Sequence, residues 1–169
     1  MKQEVDTLTP AERLHIARRV PDKIRLLLDC LYVTGARISE LLSIQVSECV
    51  AQGPNVRLLL HASKTRSERF VYVKRPLFEA VLSCWQTGGC KYLFQGQAQK
   101  PISRKYVWRL VKQALKRAHP HMLRHTRVTD LIEKGLPLDA IGRFAGHSSV
   151  LTTLRIYGHS KLRVEDMAG

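Results

Sequence analysis

Apolar positions along the 169-residue chain change period twice. Near the start they recur at helical spacing: after Pro21, the residues Ile24, Leu27, Leu28, Leu31 and Tyr32 share one face, and Gly35 can stop the run. Ahead of them, Thr9, Pro10 and Glu12 supply an N-cap, a first-position proline and the far half of a capping box, which predicts a helix from Pro10. Arg37 to Leu42 reads as a short helical piece with Leu41 and Leu42 turned inward. In the middle the period shortens. Val56 to His61 and Phe70 to Val73 are rich in β-branched and aliphatic residues, and the polar connection Ser63 to Glu68 makes them a hairpin. A strand near Ser43 to Val46 is expected to join it in a small antiparallel sheet. Helical spacing then returns over Pro76 to Trp85, and the Gly88-Gly89 turn follows. Next comes Ser103 to Ala118, with an apolar stripe of Tyr106, Val107, Leu110, Val111, Ala114 and Leu115. His121 to Lys134 is a helix ended by Gly135, and Pro137 to Phe144 a short one ended near Gly146. Ser148 and Ser149 can cap a last helix carrying Thr152, Thr153 and Tyr157. The expected fold is mainly α with a small antiparallel β-sheet (α+β), a single domain over residues 1–169 without repeats.

Charge narrows what such a domain is for. The 28 Lys and Arg outnumber 14 Asp and Glu, leaving a net charge of +14 and a pI of about 10.1, so a polyanion is the expected partner. The helix over Ser103 to Ala118 leaves Arg104, Lys105, Arg109, Lys112, Lys116 and Arg117 mostly outward, a face suited to phosphates. An anionic lipid surface is the other polyanion to weigh. No apolar run approaches the ~20 residues of a membrane span, and the opening MKQEVDTLTPAER has no apolar export region. A soluble, cytoplasmic, nucleoid-associated chain is expected. Cys30, Cys49, Cys84 and Cys90 form no C-x-x-C pair and read as free thiols.

One stretch concentrates chemistry: HPHMLRHTR, residues 119–127. On a helix from His121, residues three and four apart share a face, so His121, Arg124 and His125 line up. Two histidines four apart can hold zinc, but here Met122 stands where a zinc protease has its glutamate. Arg124, which cannot shed its proton, would set a fixed positive charge beside the metal. An anion clamp fits better, with His125 equally readable as a packed core histidine. Other residues could join the clamp. Arg37 precedes Glu40 by three, Lys64 sits in the hairpin connection, His147 follows Gly146, and Tyr157 lies one short helix later. Singly, these are also an ordinary helix pair, a turn lysine and a core aromatic.

Their order along the chain sets them apart. The succession Arg, Lys, His-x-x-Arg, His, Tyr resembles the tyrosine recombinases, the phage-integrase family. The resemblance is carried by TGARISELL (34–42), HMLRHT (121–126), and AGHSSVLTT with the following Tyr-Gly-His (145–159), and it runs from Leu8 to His159. It implies a catalytic set of Arg37, Lys64, His121, Arg124, His147 and Tyr157, with Glu40 beside the first arginine and Lys64 preferred to Lys74. It implies transesterification at a DNA phosphodiester, in which Tyr157 attacks phosphorus, releases a 5′-hydroxyl and forms a 3′-phosphotyrosyl bond. Arg37 and Arg124 would hold the non-bridging oxygens with help from His147, His121 would accept the phenolic proton, and Lys64 would protonate the leaving oxygen. No metal, nucleotide or other cofactor is called for. Double-stranded DNA is the implied partner, gripped also by Arg66, Arg104, Lys105, Arg109 and Lys112, with a homotetramer on paired sites.

Two features depart from the family pattern. His147 to Tyr157 is one residue longer than is usual, enough to turn a helical side chain by ~100°. The resemblance also implies that the chain begins at about the start of the catalytic domain, so the N-terminal core-binding domain typical of the family is expected to be absent from it, whether the chain is a catalytic fragment or a naturally minimal protein. The competing readings are a non-catalytic DNA-binding relic or regulator with the same fold, and a type IB topoisomerase-like enzyme.

Overall fold

The computed structural model describes residues 6–62, 67–86 and 88–146. Seven helices and three strands are found among them: α1 (Pro10–Ala17), α2 (Asp22–Thr34), α3 (Ile38–Leu42), β1 (Cys49–Gln52), β2 (Asn55–His61), β3 (Glu68–Lys74), α4 (Arg75–Trp85), α5 (Arg104–Ala114), α6 (Pro120–Glu133) and α7 (Leu138–Ala145). The expected mainly α fold with a small antiparallel sheet is what the chain adopts.

Helix α2 is the axis of the domain. It buries Ile24, Leu26, Leu27, Leu28, Cys30, Leu31 and Thr34, too many for a single stripe, because α4, α6 and β3 all pack on it. Its end is set by Gly35, which takes the left-handed conformation (φ 58°) and donates its N–H to the Leu31 carbonyl. Helix α1 begins as its sequence predicts. The Thr9 hydroxyl accepts from the Glu12 N–H, and the Glu12 carboxylate accepts from the Thr9 N–H at 3.0 Å. The segment before it is pinned to α6 by the buried bond from the Leu8 N–H to the Thr126 hydroxyl, 2.9 Å.

The sheet runs in the order β1-β2-β3, antiparallel throughout. Val56, Leu58, Leu60, Val71 and Val73 face the core, and Phe70 and Tyr72 of β3 face solvent. The expected strand at Ser43 to Val46 does not form. That stretch runs instead alongside residues 91–93: Leu93 donates its N–H to the Ile44 carbonyl at 2.9 Å and Val46 donates to the Lys91 carbonyl at 3.0 Å. The third strand lies just beyond, at Cys49–Gln52, where three of four residues are exposed and no apolar alternation marks it.

Helix α5 is shorter than the predicted Ser103 to Ala118. Leu115 turns extended (φ −150°, ψ 112°), and Arg117 then reaches back to the Asp6 and Glu12 carboxylates and the Thr7 carbonyl. Arg117 is therefore tied across the molecule to the start of α1. Nearly all of the core is continuous, while Val128, Leu131, Ile132, Ile141 and Ala145 form a small satellite between α6 and α7. No helix among the described residues is long and apolar enough to cross a membrane.

Candidate active site

The site is assembled around the turn between α2 and α3. Gly35 ends one helix, Ala36 is buried, Arg37 is extended (φ −70°, ψ 145°), and Ile38 opens the next. A Cβ on Gly35 would stand 2.6 Å from Phe144 Cε1, so glycine is required both by the backbone and by the α7 ring that packs beneath the turn. From α6, Arg124 donates through Nη1 to the Gly35 carbonyl at 2.7 Å. With 3% of its surface exposed, Arg124 is the most withdrawn basic side chain among the described residues, and its guanidinium is oriented before any ligand arrives.

Glu40 fixes the other arginine. Its Oε2 accepts the Arg37 N–H at 2.9 Å and its Oε1 accepts from Arg37 Nη1 at 2.8 Å, while the Arg37 side chain stays 43% exposed and open to a ligand. Burial opposes a charge on Glu40. The hydrogen bonds from Arg69 and from the Arg37 backbone outweigh it and hold the carboxyl at about 2.

Arg69 belongs to none of the motifs. From β3 it donates through Nη2 to Glu40 Oε2 at 2.7 Å and through Nε to the Phe144 carbonyl at 3.1 Å. Its position in the strand is the available signal. Residues 69, 71 and 73 share the inward face, and an arginine in register with Val71 and Val73 must find a buried carboxylate.

His121 lies on the first turn of α6, its ring 4.6 Å from that of His125 and nearly perpendicular to it. Although the residue is exposed, desolvation of its ring, followed by the positive neighbours His125, Arg124, His119 and Arg37, pushes its pKa down to about 4. Solvent still reaches the residue, so its neutral state at pH 7, rather than the depth of the shift, is what matters chemically. His125 is half-buried and is likewise lowered, first by burial and then by Arg124. The cluster is therefore two fixed guanidinium groups beside neutral imidazoles, suited to bind a phosphate diester and to accept a proton.

Of the residues expected to act together, Arg37, Glu40, His121 and Arg124 come together here. Lys64, Arg66, His147 and Tyr157 lie outside the described residues. The basic residues expected to grip DNA stand on α5, with Arg104, Lys105 and Arg109 exposed and Lys112 partly buried. Two aromatic rings are interleaved: Arg109 lies 5.4 Å from the Tyr106 ring and Lys112 lies 5.4 Å from that of Trp108.

Helices packed around a small three-stranded antiparallel sheet are the architecture of tyrosine recombinase catalytic domains. The chain belongs to the phage integrase family, whose model matches residues 6–163. A relative from Halalkalibacterium halodurans, tyrosine recombinase XerD, is 33% identical over 156 residues, covering 83% of this chain and 51% of its own. The fold is shared with XerH site-specific recombinase bound to difH substrate, at a TM-score of 0.79 and 24% identity over 98% of this chain and 54% of that one. It is shared too with a lambda integrase tetramer bound to a Holliday junction, at a TM-score of 0.68 and 23% identity over 88% of this chain and 49% of that one. The chain spans about half the length of the curated relatives it matches.

Proposed function

We propose that this chain is the catalytic unit of a site-specific DNA recombinase that cuts and rejoins strands through a 3′-phosphotyrosyl intermediate. The observation that carries the reading is the pair Arg37 and Arg124, the first held by Glu40 and the second by the Gly35 carbonyl at the same turn, with neutral His121 beside them. Two forked, permanent cations suit the trigonal oxygens of a phosphorane, and their prior anchoring avoids reorganisation during the reaction.

In this reading Tyr157 attacks phosphorus, its phenolic proton passes to His121, and the P–O5′ bond breaks with a proton from Lys64. His147 adds a hydrogen bond to the non-bridging oxygens, and Glu40 holds Arg37 in place. The reverse reaction with a 5′-hydroxyl from another duplex rejoins the strands, so the energy of the first bond is kept in the phosphotyrosine and no ATP is consumed. The partner is double-stranded DNA, contacted also by Arg66, Arg104, Lys105, Arg109 and Lys112. Four copies assemble on paired sites, in the cytoplasm and on the nucleoid.

The test is a nicked suicide duplex carrying a site sought near the encoding gene, incubated with the full chain and resolved on a denaturing gel. A covalent protein–DNA band that vanishes in Tyr157→Phe is expected. DNA binding with no covalent band, on a duplex bearing the cognate site, would instead identify a binding protein that keeps the fold without the reaction.

A further inference from the structure

Arg69 is not among the residues assigned to the reaction, yet it ties together three parts of the site. Its side chain is 13% exposed and lies between two acceptors on different elements: Glu40 Oε2 on α3 at 2.7 Å and the Phe144 carbonyl near the end of α7 at 3.1 Å. A third contact concerns Gly146, two residues further on. A Cβ there would stand 2.6 Å from Arg69 Nη1 and 2.8 Å from Cζ, and the backbone is left-handed (φ 65°). A side chain at 146 would strain the left-handed backbone and push the Arg69 guanidinium off its acceptors.

The geometry divides the labour on Glu40. One carboxylate oxygen, Oε1, serves the Arg37 guanidinium; the other, Oε2, is shared between the Arg37 N–H and Arg69. Without Arg69, that second oxygen loses its charged partner and Glu40 can rotate, releasing the Arg37 backbone. At the same time the end of α7 loses its link to β3. Both consequences fall on atoms that bracket the arginine cluster.

We propose that Arg69 is a positioning residue: through Glu40 it fixes the orientation of Arg37, and through the Phe144 carbonyl and the bare backbone at Gly146 it fixes where α7 ends beside that arginine. The residue makes no contact with DNA in this role, and the inference rests on the recombinase reading for its catalytic consequence. A displacement near 1 Å at a reacting centre costs on the order of 10²-fold in rate, which sets the scale of the effect.

The experiment compares wild type with Arg69→Gln, Arg69→Lys, Glu40→Gln and the double variant Arg69→Gln/Glu40→Gln, using the full chain on the suicide duplex. Phe70→Ala, on the opposite face of the same strand, is the control. Single-turnover cleavage of pre-bound DNA is measured alongside the DNA dissociation constant and the melting temperature. Arg69→Gln is expected to slow cleavage by about 10²-fold while DNA affinity changes by less than about threefold, with Arg69→Lys intermediate and Phe70→Ala unchanged. The double variant is expected to lose less than the product of the two single losses, because the two side chains share the Glu40 carboxylate while Arg69 alone also holds the end of α7. Cleavage at the wild-type rate in a folded Arg69→Gln protein, or additive losses in the double variant, would overturn the inference.

Amide exchange at Arg37 separates this inference from the recombinase reading. If wild type forms no covalent band, the recombinase reading fails. The positioning role is then judged by whether Arg69→Gln accelerates exchange of the Arg37 N–H: faster exchange supports it and unchanged exchange overturns it.

Discussion

Arg124 carries a permanent charge with almost no access to water, a state tolerated only because its donors are placed on fixed acceptors such as the Gly35 carbonyl. Lysine keeps the charge but loses the planar fork, so Arg124→Lys is expected to lower the rate of covalent complex formation by about 10²-fold or more, with duplex binding largely kept. Single-turnover cleavage beside an affinity titration checks this. Glu40 makes a different prediction. Its carboxyl is held at about 2 in the folded state against an ordinary 4.5, so the folded state gains stability that is complete above pH 4.5 and is lost as pH falls toward 2. The size is on the order of 3 kcal/mol. Glu12 is lowered similarly and contributes to the same acid transition, so the measurement is the difference between wild type and Glu40→Gln, followed by chemical denaturation from pH 6 to 2.5. The gap between them should narrow with acid. At this scale the motif residues Arg37, Glu40, His121 and Arg124 are legible in the sequence, because short-range spacing brings each pair together. Arg69 is not, since its partners lie 29 and 75 residues away and only the inward parity of β3 hints at a buried cation.

Elements are legible wherever a local signal sets their ends. The Thr9–Glu12 box and the left-handed Gly35 and Gly146 each mark a boundary that needs no tertiary information. Strand β1 carries no such signal, because hydrogen bonding to β2 rather than burial holds it. The end of α5 is likewise hidden, since Arg117 forms its ion pairs with residues more than one hundred positions away. The loop end of the β2–β3 hairpin offers a test at this level. His61 Nε2 lies 2.7 Å from Glu48 Oε1 and Nδ1 lies 3.0 Å from Glu68 Oε1, and the ring's pKa is raised, first by the hydrogen bond to Glu48. The clip between β2, β3 and the turn before β1 is thus present below the ordinary histidine pKa and is lost as pH rises through the higher folded value. An NMR titration of the His61 ring should show a midpoint above 6.5 that moves back toward 6.5 in Glu48→Gln.

For the whole molecule, the excess of +14 predicts that duplex binding is dominated by phosphate neutralisation. The logarithm of the affinity should fall linearly with that of salt. Replacing Arg104, Lys105, Arg109 or Lys112 with glutamine should each flatten the slope by about one for every phosphate that the side chain neutralises. Fluorescence anisotropy across a potassium chloride series reads this directly, and an unchanged slope would remove that residue from the interface. The arginine cluster has a wider consequence. Arg124 bonds the Gly35 carbonyl and Arg37 bonds Glu40, so bonds that help orient both guanidinium groups lie ahead of the stretch that contains Tyr157. Under the proposed function, Tyr157→Phe is therefore expected to keep the bonds that hold these guanidinium groups, and with them the grip on duplex DNA, which would turn a protein that cuts its site into one that occupies it.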